Sequence, residues 1–123
     1  MSEPVLFELS KLEIAVEQLN WAIRLFLEHK ASVPAITLAG AAEEIVGQAV
    51  GELRASEAIN KHLASELSIT GIEASREHTN FLKNWLKHWG DRTESEKVSA
   101  YLIEEAIQYI VRALTNLSNY DPT

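Results

Sequence analysis

The chain has 123 residues, 46% of them hydrophobic and 24% charged, a formal net charge of −7 and no cysteine. This length and balance fit one domain over residues 1–123 with its own core, and exclude a disordered chain. The missing cysteines exclude disulfides, thiolate metal sites and cysteine nucleophiles, while the acidic sum argues against a general nucleic-acid binder, because phosphate neutralisation needs a basic surface.

The opening Ser2-Glu3-Pro4 lacks the basic start of a signal peptide. No apolar run reaches the roughly 18 residues of a membrane span. The expectation is a cytoplasmic protein with no membrane partner. Leu9, Leu12, Val16, Leu19, Ile23 and Phe26 recur at three- and four-residue steps, which predicts a long first helix from about Val5 to Lys30. Ser32 then reads as a cap and Pro34 as a first-turn residue, where its missing N–H is harmless. The second helix is predicted to run to about Leu53, with Leu38, Ala39, Ala42, Val46, Ala49 and Leu53 facing inward. A narrow side stripe holds Ile36, Gly40, Glu43, Gly47 and Gly51. Each interior glycine costs about 1 kcal/mol against alanine, so the stripe points to a close approach by another helix, within the chain or in a partner.

Ser56 opens a shorter third helix with Ile59, Leu63 and Leu67. Thr70 and Glu73 have capping-box spacing and place the next helix start near Gly71. That fourth helix carries an apolar face of Phe81, Leu82, Trp85, Leu86 and Trp89 and stops at Gly90-Asp91. Thr93 and Glu96 repeat the capping spacing before a last helix with Val98, Tyr101, Leu102, Ala106, Ile110, Leu114 and Leu117. No segment alternates as a half-buried strand does. The predicted fold is all-α: an antiparallel bundle of four main helices plus a short extra one.

The fourth helix also carries the chemistry. Between Arg76 and Arg92 four basic residues face two acidic ones, a local net of +2 within an acidic chain. Opposite its apolar face the wheel collects Arg76, Asn80, Lys83, Asn84 and Lys87, with His88 at the border. Asparagine is a mediocre helix former, so two of them mid-helix beside three bases suit an anionic, hydrogen-bonding ligand; a plain solvated face is the competing reading. An imidazole such as that of His88 is the side-chain type suited to proton transfer at a phosphodiester near neutral pH, or else His88 satisfies the helix end. Asn84 and His88 are i,i+4 neighbours and can touch.

The run Asn80-Phe81-Leu82-Lys83-Asn84-Trp85-Leu86-Lys87-His88 resembles the signature of the HEPN superfamily (higher eukaryotes and prokaryotes nucleotide-binding): Arg, a polar residue such as Asn, then His after four to six positions. The segment Ala35-Ile36-Thr37-Leu38-Ala39-Gly40-Ala41-Ala42-Glu43-Glu44 is similar to the second helix of small bacterial HEPN-like proteins of unknown function. The resemblance implies a homodimer whose motif helices build one composite, metal-independent endoribonuclease site. In that site His88 assists attack of the ribose 2′-hydroxyl, and Lys83 and Asn84 complete the catalytic set. Asn80, Lys87 and Glu43 are the candidate binding residues, and RNA or a nucleotide is the ligand class. An antitoxin or nucleotidyltransferase partner is a further implication. The chain departs from the signature at Lys83, where the family holds Arg. Lysine keeps the charge but loses the planar fork that grips phosphate, which moves weight from cleavage towards binding. The alternative reading is a catalytically inactive interaction or binding module.

Glu43 lies at the edge of the second helix's apolar face, as a carboxylate that pairs with Lys83 or as a partly solvated residue. No glutamate is followed by His three residues later, so a carboxylate-bridged metal site is not expected. No cofactor is expected either, for want of a Gly-rich phosphate loop or dinucleotide fingerprint. Lys83 and His88 stand about 140° apart on one helix, at 100° per residue. One monomer therefore focuses them poorly on a single phosphate, and an open polar groove completed by a second copy is the geometry expected.

Overall fold

The computed structural model describes residues 3–87 and 97–120. His88, Trp89, the Gly90-Asp91 stop, Arg92 and the Thr93/Glu96 spacing lie outside the described residues, as does the side chain of Arg76. Every regular element among the described residues is helical. They are α1 (Lys11–His29), α2 (Ser32–Val50), a 3-10 turn (Gly51–Leu53), α3 (Ala55–Leu67), α4 (Gly71–Ala74), a π-helical turn (Ser75–Thr79), α5 (Phe81–Lys87) and α6 (Leu102–Asn119).

Local chemistry sets the ends. Ser10 caps α1, its hydroxyl accepting from the Glu13 N–H at 3.0 Å, so the helix begins six residues later than the apolar repeat suggested. Residues Val5 to Leu9 lie outside the helix and are exposed. Lys30 adopts the left-handed conformation at φ 53°, an αL cap that turns the chain sharply into α2. The cap position of α2 is Ala31 rather than Ser32, and it makes no side-chain bond. Gly51 closes α2 at φ 60°, a backbone state that L side chains rarely adopt. Half of the capping box at the next start is formed: Thr70 Oγ1 accepts from the Glu73 N–H at 3.1 Å, while the Glu73 carboxylate accepts from the Thr70 hydroxyl, at 3.1 Å, in place of its backbone N–H.

α2 is the central helix. It packs against α1 on one side and α6 on another, and α5 touches a third part of its surface. Its contacts are made by small residues. Ala15 and Ala22 of α1, Ala35, Ala39 and Ala42 of α2, and Ala106 and Ala113 of α6 are all buried. Leu19, Ile36, Val46 and Ile110 fill the space between them. Alanine lets helix axes close in, so larger apolar residues fall to the edges. Leu12 and Val16 are 38% exposed, Leu114 46% and Leu53 64%, against the inward positions that periodicity assigned them. Ala49 and Tyr101 are exposed as well. Of the side stripe, Ile36, Gly40, Glu43 and Gly47 are buried, because α2 is covered on more sides than one apolar face requires, while Gly51 past the end of the helix is exposed.

The fourth helix is not continuous. The Asn80 N–H reaches back five residues to the Ser75 carbonyl at 2.8 Å, and Asn80 itself leaves helical geometry at φ −116°. The helix therefore divides into α4, the π-turn and α5. The arc of this region turned inward runs through Thr79, Leu82 and Lys83, while Phe81 is 43% exposed.

Candidate functional site

The face that the wheel set towards solvent is partly turned into the molecule. Lys83 is 4% exposed and Asn80 8%, whereas Asn84 is half-buried and Lys87 exposed. The physical reason is a charge cluster that α2 and α6 build opposite them. At its centre lies Glu43, with no exposed surface, in place of the edge position that the apolar pattern gave it. Arg54 grips its two carboxylate oxygens bidentately, Nε to Oε1 at 2.9 Å and Nη2 to Oε2 at 3.0 Å. Arg112 stands on the other side, 3.5 Å from Oε2. Asn116 donates to the Glu43 carbonyl at 3.0 Å and to Oε1 at 3.3 Å. Its own carbonyl accepts from the Ala55 N–H at 2.8 Å and so satisfies a free donor at the start of α3.

Arg112 links this centre to the π-turn. It donates to the Thr79 carbonyl at 2.9 Å and to Asn80 Oδ1 at 2.8 Å. Asn80 in turn donates to Ser75 Oγ at 2.7 Å, so both ends of its amide are engaged inside the fold. The Tyr109 hydroxyl donates to the Thr79 carbonyl at 3.1 Å and accepts from the Lys83 N–H at 3.2 Å. α6 thus holds the bend in the helix through Tyr109 and Arg112, while Asn116, further along the same polar row, ties α6 to Glu43 and to the start of α3.

Lys83 closes the cluster from above. Its stem crosses α2 at Gly40, where a Cβ would stand 2.5 Å from Lys83 Cδ. Its ammonium reaches Glu44 at 3.7 Å, and Lys87 reaches the same carboxylate at 3.8 Å. Both separations exceed hydrogen-bond range. Arg54 crosses the same helix at Gly47, where a Cβ would run into its Nε and Cδ. The two glycines of the stripe therefore make room for two basic side chains rather than for a helix backbone.

The electrostatics follow the geometry. Burial raises the Glu43 pKa, but the Arg54 hydrogen bonds and the charges of Arg112, Arg54 and Lys83 outweigh it and hold the carboxyl below its ordinary 4.5. The bond to Glu43 raises Arg54 further. Burial pushes Lys83 below its ordinary 10.5, with Glu44 and Glu43 opposing and Arg112 and Lys87 adding to the shift. Burial raises Tyr109 and Glu105. Four cations, Arg54, Arg112, Lys83 and Lys87, thus share two carboxylates, Glu43 and Glu44.

Asn84 lies apart from this cluster. With Asn60 and Lys61 of α3, Thr70 before α4 and Ser75 of the π-turn, it lines a cavity of about 580 Å³. A neighbouring cavity of about 530 Å³, lined by Gly47, Gln48, Gly51 and Arg54, shares Glu57 and Lys61 with it. Of the expected site residues, Glu43, Lys83 and Asn80 meet in the buried cluster, Lys87 stands at its rim, and Asn84 belongs to the cavity. Arg54, Tyr109, Arg112 and Asn116 join the site unannounced. A usable signal existed, because 109, 112 and 116 form a polar row at helical steps within an apolar helix.

Among the described residues no group of three or more His, Asp or Glu is placed to hold a metal ion. No described helix is long and apolar enough to cross a membrane. No family model, curated protein or solved structure matches the chain.

Proposed function

We propose that the chain is a HEPN-like domain that acts on RNA or a nucleotide, as a binding domain rather than as an endoribonuclease. The reading carries with it the antiparallel four-helix bundle, a cytoplasmic setting and a homodimer that brings two motif helices together. The observation that supports it most is Lys83. A buried lysine pushed down in pKa, whose ion pair among the described residues is a 3.7 Å contact with Glu44, is a poor choice for stability, and such groups cluster at functional sites. Its ammonium is directed to α2, so a phosphate meets Lys87 and Asn84 first. That arrangement favours holding a phosphate over stabilising a phosphorane.

Labelled single-stranded RNA, followed by fluorescence anisotropy at graded salt, tests the proposal. Binding that weakens steeply with salt and further in Lys87→Glu is expected, with the RNA recovered intact. Cleavage that disappears in His88→Ala would replace the binding reading with the metal-independent endoribonuclease. Absence of binding at low salt would remove both.

A second reading, an interaction module for a protein partner of the antitoxin or nucleotidyltransferase kind, draws on α6. Ile103, Ile107, Val111 and Leu114 form an exposed stripe at steps of four, four and three residues, 46–58% accessible. A row of that kind is the usual mark of a covered helix face. Ile107→Asp leaves the buried face of α6 intact and separates the readings: it abolishes partner capture and leaves RNA binding through Lys87 and Asn84 unchanged.

A further inference from the structure

Four large apolar residues before α1 remain uncovered by the fold. Val5 is 74% exposed, Leu6 94%, Phe7 74% and Leu9 63%. Apolar surface gathered in one short segment marks a contact site rather than a stray side chain. A groove of matching character lies on α2. It is lined by the apolar Ala41, Ile45 and Ala49 and by Lys11, Glu44 and Gln48, around about 600 Å³. From Ala41 to Ala49 the helix rises about 12 Å, and an extended arm covers about 13 Å from Val5 to Leu9. In that conformation Val5, Phe7 and Leu9 share one side.

The charges match as well. Glu44 is already faced by Lys83 at 3.7 Å and Lys87 at 3.8 Å, and Lys11 adds a further cation. The groove is therefore edged by excess positive charge in a chain of net charge −7. The arm carries Glu3 and Glu8 and no basic residue. An arm that entered its own groove would have to reverse at Ser10. That residue is committed to α1: its hydroxyl accepts from the Glu13 N–H at 3.0 Å and its carbonyl from the Ile14 N–H at 3.1 Å. Lys11 lines the groove and stands two residues after Leu9, so each arm leaves the body beside its own groove. Two copies related by a two-fold axis there have their grooves within reach of each other's arms.

We infer that the arm from Val5 to Leu9 seats in the α2 groove of a second copy, which returns its own arm in exchange. A reciprocal exchange of this kind closes as a dimer, whereas a one-way exchange would build a filament. Val5, Phe7 and Leu9 meet Ala41, Ile45 and Ala49 of the second copy, and the acidic residues of the arm meet its lysines. This interface uses the arm and α2 instead of the motif helices, so it stands independently of the RNA reading.

Sedimentation equilibrium of the full chain, from micromolar to millimolar concentration, reads the assembly. The parent is expected to form a dimer that weakens about tenfold or more in Phe7→Glu, because a buried aromatic anchor carries much of an interface. Phe7 lies outside every helix, so the circular dichroism spectrum should not change. Ala49→Glu, at an exposed position of the groove, should give the same loss from the other side of the contact. The chain has no cysteine, so engineered thiols report the pairing directly. A short bis-maleimide should join Phe7→Cys chains to Ala49→Cys chains, and should not join Phe7→Cys chains to Ser118→Cys chains, whose thiol lies on the exposed side of α6. A parent that stays monomeric throughout overturns the inference. So does a dimer unchanged in both Glu variants, which another surface such as the motif helices then holds. A chain carrying both Phe7→Cys and Ala49→Cys that closes on itself as a monomer overturns it too, by placing the arm in its own groove.

Discussion

Arg54 and Lys83 are the same solution applied twice with different success. Each is a basic side chain laid across α2 at a glycine, Gly47 for one and Gly40 for the other, and each ends on a glutamate of that helix. Arg54 finishes in a bidentate pair at 2.9 and 3.0 Å, and its pKa rises. Lys83 finishes 3.7 Å from a half-exposed carboxylate, and its pKa falls. The guanidinium fork fits a carboxylate and uses its donors well. The ammonium, more strongly hydrated, loses water without a matching bond. Arg54 therefore serves the fold, and Lys83 is carried at a cost.

The comparison is broken most severely by removing what both cations surround. Glu43→Ala leaves Arg54 and Arg112 facing each other across a fully buried gap. Breaking a buried pair in this way costs about 3–5 kcal/mol, a large share of the roughly 5–15 kcal/mol of a whole domain. Urea unfolding should show the loss as a lower midpoint with little change in slope. The pH dependence has a definite sign. The folded Glu43 pKa lies below the ordinary 4.5, so its stabilisation is complete above that value and disappears as pH falls through the folded one. Glu43→Gln should flatten this acid limb relative to the parent chain. An acid limb of unchanged steepness would show that other carboxylates govern it.

The two glycines sharpen the contrast. Gly→Ala in a helix gains about 1 kcal/mol from propensity alone, while overpacking costs about 1–3 kcal/mol. At Gly47 the new methyl meets a side chain fixed by two short bonds to Glu43, so the steric cost prevails and Gly47→Ala is destabilising. At Gly40 it meets the flexible stem of Lys83, whose end is loosely held. Gly40→Ala should come out close to neutral in thermal unfolding. A larger loss at position 40 than at position 47 would mean that Lys83 is the more firmly anchored of the two.

Helical periodicity made the elements legible, and the Thr70/Glu73 box and the αα connection near Lys30 were readable to within a few residues. Which side of each helix is buried was less legible, because size misled. The pattern assigned Leu12, Val16, Leu53 and Leu114 to a core that is built from alanines. The stripe of Gly40, Glu43 and Gly47 was visible as an anomaly, but its occupants were not. Arg54 lies eleven residues from its partner Glu43, and Asn116 seventy-three from the same glutamate. Such pairings depend on how α2, α3 and α6 come together, which local spacing does not encode. The same holds for the π-turn: Asn80 signals a poor helix former, but only its engagement by Arg112 and Ser75 explains why the helix breaks there.

The smallest expected effect is also the most discriminating between the two cations. Lys83→Met keeps the length of the stem over Gly40 and removes the charge. Replacing a buried, weakly paired ion by an apolar side chain of similar volume is often neutral or stabilising by about 1 kcal/mol or more. Glu44 remains solvated, 47% exposed, and keeps Lys87 within 3.8 Å. The Met variant should therefore be at least as stable as the parent at neutral pH, whereas Arg54→Met, which strips Glu43 of its bidentate partner, should be clearly less stable. The sign at alkaline pH follows from the direction of the Lys83 shift. The folded group releases its proton below the ordinary 10.5, so between the folded value and 10.5 the unfolded chain binds more protons and the parent gains stability as pH rises. The advantage of Lys83→Met should shrink across that interval, and Tyr109, present in both chains, cancels in the difference. A Met variant that is markedly less stable at neutral pH would assign Lys83 to the fold alongside Arg54. A variant that is equally stable but loses RNA affinity leaves position 83 with a function that stability does not require.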